Sequence, residues 1–89
     1  MPKYECHKIV HALKIKAIEF DIDRANRENS ETDGSAYITP EESGFGKFKV
    51  DRNYVIKHNP QVGGYYVVYE DGYSSWSPAE AFESGYKRI

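Results

Sequence analysis

The residues with the most reactive side chains lie near the start of the chain, where Cys6, His7 and His11 fall within YECHKIVH. On a helix His7 and His11 would stand one turn apart on one face and could hold zinc together. On a strand they lie about 13 Å apart at roughly 3.3 Å per residue and cannot. The surrounding pattern favours the strand, so no metal site is expected. Cys6 is the chain's one cysteine, which excludes an internal disulfide and reads as a small buried hydrophobe. The acid pairs Glu41-Glu42 and Asp21/Asp23 stand among polar residues, without the burial that tunes a carboxyl group for acid-base work. Gly63-Gly64 precedes a strand, whereas a phosphate-cradling loop opens onto a helix. No catalytic residue and no cofactor is assigned, and an enzyme ranks behind any binding role.

The aromatic residues are the stronger signal, because eight tyrosines dominate an aromatic share of 15%. Tyr65, Tyr66, Tyr69 and Tyr73, together with Ser75, combine rigid amphipathic rings with small adaptable polar groups, the mixture found at recognition surfaces. These five are the candidate binding residues. The same composition also suits the core of a small sheet, and both readings stand. Lys47, Lys49, Arg52 and Lys57 form the nearby basic set that would let such a surface stack nucleobases and hold phosphates.

Elements must position these groups. Tyr65 to Glu70 is rich in aromatic and β-branched residues and runs into Asp71-Gly72, a turn signal, so Tyr65 to Trp76 reads as a hairpin. A two-residue loop there would pair Val67 with Trp76, putting Tyr65, Val67, Tyr69 and Trp76 on one face and Tyr66, Val68 and Tyr73 on the other. The face with the tryptophan is the expected core. Ser77-Pro78-Ala79-Glu80 carries a helix start signal with Ser77 as N-cap, and the helix should end at Gly85.

Upstream, His7 to Ile22 alternates in strand fashion and changes phase between Ala17 and Ile18, as one bulge residue would cause. Residues 23–34 hold a single apolar side chain, Ala25, and read as an exposed loop with room for a helical turn. Ser35 to Thr39 reads as a strand ended by Pro40 and returning antiparallel onto the first. Phe48-Lys49-Val50 is a minimal strand. Asp51 caps a short helix, Arg52 to His58, that ends before Asn59-Pro60. The whole is one α+β domain over residues 1–89, a small mainly antiparallel sheet with a C-terminal helix and one short earlier helix.

At 89 residues, with 39% hydrophobic and 29% charged side chains, one modest core is all the chain can build. A formal charge of -2 argues against a protein organised around a phosphate backbone. The apolar runs are too short to cross a bilayer, and the lone cysteine suits a reducing cytoplasm.

The ending GGYYVVYEDGYSSWSPAEAFESGYKRI, with YECHKIVHALKIKAIE and KHNPQ upstream, resembles small uncharacterised proteins found in tailed bacteriophages and prophages. More distantly, the last third is similar to the PGDYG family, in its Gly-aromatic strand, acidic-glycine turn, second strand, helix bearing Phe82 and closing Tyr86. The resemblance implies expression in the cytoplasm of an infected bacterium and a non-enzymatic module that binds a host or phage protein. Two alternatives accompany it. One is a nucleotide or small-molecule binder of the counter-defence sponge type, its pocket completed at a homo-oligomer interface, and the other is a single-stranded nucleic-acid binder.

Overall fold

A computed structural model describes residues 1–5 and 9–89. Its elements are β1 (Lys3–Glu5), β2 (Ile9–Phe20), α1 (Asp21–Glu28), β3 (Ala36–Pro40), β4 (Phe48–Val50), α2 (Arg52–His58), β5 (Tyr65–Val68), β6 (Ser74–Ser77), α3 (Ala79–Gly85) and β7 (Lys87–Arg88). The α+β class and the antiparallel sheet are as the sequence predicts. The short strands β1 and β7 are additions that the sequence patterns did not signal.

The long strand β2 organises the sheet. Residues 9–11 pair with β1, residues 11–14 with β5 and residues 15–20 with β3, all antiparallel. β4 extends β3, β6 extends β5, and β7 extends β1. The path β2-β3-β4-α2-β5-β6, with β5 returning to β2, is the connectivity of an OB-type barrel. Its closing pair, β4 with β6, is not among the hydrogen-bonded pairs of the described residues, and α2 packs against β6.

The expected bulge exists but falls slightly earlier. Ile15 pairs with Pro40 and Ala17 with Thr39, which leaves Lys16 as the extra residue. Strict alternation would send Ile15 and Ile18 to opposite faces. The extra residue turns Ile18 and Phe20 to the side of Ile15, where all three join one apolar cluster.

There are two such clusters. Val10, Ala12, Tyr65, Val67 and Phe82 form the first, with Tyr4, Tyr69, Ala79 and Tyr86 packed around them. Ile15, Ala36, Ile38, Val50 and Tyr54 form the second, flanked by Ile18, Phe20, Phe48, Val55, Tyr66 and Trp76. Tyr65 and Val67 feed one cluster and Tyr66 the other, so β5 carries apolar load on both faces.

The hairpin register corrects the expectation. Tyr66, not Val67, lies opposite Trp76, and Val67 lies opposite Ser75. The loop contains three residues, Glu70-Asp71-Gly72, rather than two. A shift of one residue transfers Trp76 to the face of Tyr66, so the tryptophan sits with the second cluster and not with Val67. Gly72 supplies the positive φ, 88°, that a three-residue hairpin loop needs at its last position.

Two helix expectations also change. Half of the expected loop 23–34 is helical, because α1 runs from Asp21 to Glu28 and ends on Asn29 in the left-handed region. Only Ala25 is buried on it, so there was no apolar stripe to read. Arg24 holds it instead, bonded to Asp21 at 2.8 Å and to Glu28 at 2.9 Å. For α3, Ser77 is the last residue of β6 and Pro78 occupies the N-cap without a side-chain bond, so Ser77 is not the cap. The helix does end at Gly85, and α2 matches its expectation, with the Asp51 carboxylate accepting from Tyr54 N at 2.9 Å. Among the described residues, no helix is long and apolar enough to cross a membrane.

Candidate functional site

Exposed Tyr73 stands with half-buried Tyr69 and His58 where the β5–β6 loop meets the end of α2. The loop is closed by Tyr69 N donating to Tyr73 O and by Gly72 N donating to Tyr69 O, each at 2.9 Å. Asp71 Oδ1 accepts from Tyr73 N at 2.9 Å. These bonds set Tyr69 and Tyr73 face to face across the loop, with centroids 6.0 Å apart and planes 15° from parallel. Tyr73 remains 44% exposed.

Tyr73 is a wall shared by two open hollows. One, of about 430 Å³, is lined by Tyr69, Glu70, Asp71 and Tyr73. The other, of about 260 Å³, lies toward α2 and includes Tyr54, Lys57, His58 and Ser74. On that side the Tyr73 hydroxyl is 3.3 Å from His58 Nε2, and Lys57 Nζ lies 4.9 Å from the centre of the Tyr73 ring. Burial, then the neighbouring Lys57 charge, lowers the His58 pKa from its usual value. The neutral ring is therefore favoured, and its Nε2 can accept from the Tyr73 hydroxyl.

The five candidate tyrosine-and-serine positions do not form one surface. Tyr69 and Tyr73 are brought together. Tyr65 is buried in the first cluster, stacked on Phe82, and its hydroxyl donates to Glu83 at 2.6 Å. Burial and that carboxylate raise its pKa. Tyr66 is half-buried between Phe48 and Tyr54, with centroids at 4.7 Å and 5.6 Å. The Ser75 carbonyl accepts from the Tyr54 hydroxyl at 2.8 Å, tying β6 to α2.

The basic set is dispersed as well. Lys57 belongs to the Tyr73 site. Lys47 lies over the Tyr37 ring at 5.3 Å, Lys49 pairs with Asp33 at 3.0 Å, and the Arg52 stem packs against Gly34. Hydrogen bonds from Ser35, then the Lys49 ammonium, hold the Asp33 carboxyl well below the usual range. Cys6 and His7 lie outside the described residues, while His11 is exposed on β2. Among the described residues, no three His, Cys, Asp or Glu side chains gather as a metal ion would require.

Sequence reasoning missed His58, Glu70 and Asp71 as members of the site. The signal for the two acids was present in the Asp71-Gly72 turn, but a three-residue loop was needed to put both at the tip. His58 becomes a neighbour only through the packing of α2 on β6.

The described residues form a small antiparallel α+β domain with an aromatic tip on the β5–β6 hairpin. No family model matches the chain, so the distant link to the PGDYG family gains no support, and no curated protein matches it. Among solved structures, the chain is similar to the monomeric form of the phage L decoration protein, determined in solution by NMR. The match has 27% sequence identity, covers 97% of this chain and has a TM-score of 0.67. The chain spans 57% of the length of that protein's structure. The resemblance to phage proteins is thus supported by a fold match along nearly the whole chain.

Proposed function

We propose that the chain is a decoration-type binding module that attaches to the protein shell of a phage particle and catalyses no reaction. The observation that carries this reading is the likeness to the phage L decoration protein over 97% of the chain. The contact is assigned to the hairpin tip and the end of α2, where Tyr69, Tyr73, Lys57 and His58 meet. Tyr73 suits an anchor, since it is large, held from behind by His58 and Lys57, and still exposed. On this reading the chain acts in the host bacterial cytoplasm, where particles are assembled.

Co-sedimentation of the purified chain with shells of the phage that encodes it tests the proposal. Saturable binding is expected, and Tyr73→Ala should weaken it by about tenfold or more, as for an aromatic hot spot, while leaving the far-ultraviolet dichroism unchanged. Absence of the unaltered chain from the sedimented shells would overturn the reading.

A further inference from the structure

We infer that Tyr54, a buried residue outside the contact surface, is the positioning residue that holds Tyr73 in its direction as the anchor. This rests on the decoration-type reading for the use made of Tyr73, and adds what fixes it. Two hydrogen bonds join α2 to the hairpin in the manner of rungs. The Tyr54 hydroxyl donates to Ser75 O at 2.8 Å, and the Tyr73 hydroxyl lies 3.3 Å from His58 Nε2. Tyr54 and His58 stand one helical turn apart, a rise of about 6 Å, while Tyr73 and Ser75 are neighbours at strand spacing, an advance of about 6.6 Å. The spacings match, so both rungs form at once.

The rungs differ in strength. The Tyr73–His58 bond is long and exposed, whereas the Tyr54–Ser75 bond is shorter and partly buried, where less water competes for it. Tyr54 is itself well fixed. Its amide donates to the Asp51 carboxylate at 2.9 Å, and its ring packs against His58 and Tyr66 with centroids at 4.8 Å and 5.6 Å. Burial, then the Tyr66 and Tyr73 phenols, raises its pKa, so the hydroxyl stays a donor at neutral pH. A phenylalanine would fill nearly the same space, and what the hydroxyl adds is the tie to β6. Without it the exposed rung remains, and the strand can turn about it and carry Tyr73 along.

The test uses Tyr54→Phe, which removes the oxygen and keeps the ring. Ser35→Ala is the control, since it deletes a hydroxyl bond to Asp33 from a buried residue just before β3. Nuclear Overhauser contacts between the His58 and Tyr73 rings should be present in the unaltered chain and in Ser35→Ala, and lost in Tyr54→Phe. In shell co-sedimentation, at a temperature where all three chains are folded by far-ultraviolet dichroism, Tyr54→Phe should raise the half-saturating concentration about fivefold and Ser35→Ala should leave it unchanged. Ring contacts that are absent from the unaltered chain, or at full strength in Tyr54→Phe, would overturn the inference, as would a loss of affinity equal in both variants or present in neither. If the unaltered chain fails to sediment with shells, the decoration-type reading falls, and the ring contacts alone decide the role of Tyr54.

Discussion

At the scale of single residues, Gly64 and Trp76 are bound to one another. A Cβ at Gly64 would fall about 2.5 Å from Nε1 and Cε2 of the indole, and Gly64 itself is buried. The indole would have to leave its seat in the second cluster. Gly64→Ala is expected to cost about 1 to 3 kcal/mol through overpacking, read as a fall in the urea midpoint. In the sequence the glycine pair before β5 reads as turn chemistry. Gly63, with φ of 91°, fits that account, but the need at Gly64 is steric and depends on which strand residue faces it. His58 supplies a prediction about pH. Its folded pKa is lowered, by burial and then by Lys57, from the unfolded value of 6.5. Its contribution to stability is therefore complete above 6.5 and drains away as the pH falls from there through the lowered folded value. Between about pH 7.5 and pH 5 the urea midpoint of the unaltered chain should fall further than that of His58→Gln, and equal falls would show that the histidine is not the group responsible.

Among the elements, the two helix starts form a matched pair. Asp51 bonds to the Tyr54 amide as a side-chain cap, whereas Ser77 is a strand residue and the N-cap Pro78 offers no side-chain acceptor. Asp51→Ala should cost about 1 kcal/mol and Ser77→Ala less than about 0.5 kcal/mol, both from urea melts. The contrast shows what local patterns can and cannot specify. Both sites carried an N-cap residue followed by a helical run. Ser77 is taken by β6, where it pairs with Tyr65, and that pairing is a long-range fact. Bounds of β4 and α2 were legible because Asp51 and Asn59 act on their own neighbours, whereas β3 starts and ends one residue later than expected, with Pro40 inside it. The hairpin register was not, because Asp-Gly serves both two- and three-residue loops and the alternation of β5 is apolar on both faces. α1 was hidden for a different reason. Its helix is held by the Arg24 bonds to Asp21 and Glu28 and covers only Ala25, so it lacks the periodic apolar residues by which a helix is recognised.

For the molecule as a whole, two apolar clusters share β2 and the tyrosine-rich β5, in a body of 46 × 24 × 20 Å. Neither cluster can be dismantled without disturbing strands that serve the other. Phe82 is 1% exposed and stacks on both Tyr65 and Tyr86. Phe82→Ala should cost on the order of 3 to 5 kcal/mol, enough to unfold a domain of this size, and calorimetry should show a single transition in the unaltered chain. Two separate transitions would mean that the clusters are independent. The candidate site was half legible at this scale, since Tyr69 and Tyr73 were chosen from the sequence, while Tyr65 and Tyr66 were claimed by opposite sides of the core. The division also has an optical consequence. The single tryptophan lies beside the second cluster, while Tyr4, Tyr65 and Tyr86 surround Phe82 in the first. Tyrosines stand in both clusters, but the indole stands beside one alone, so its emission reports on that half of the molecule without any added label.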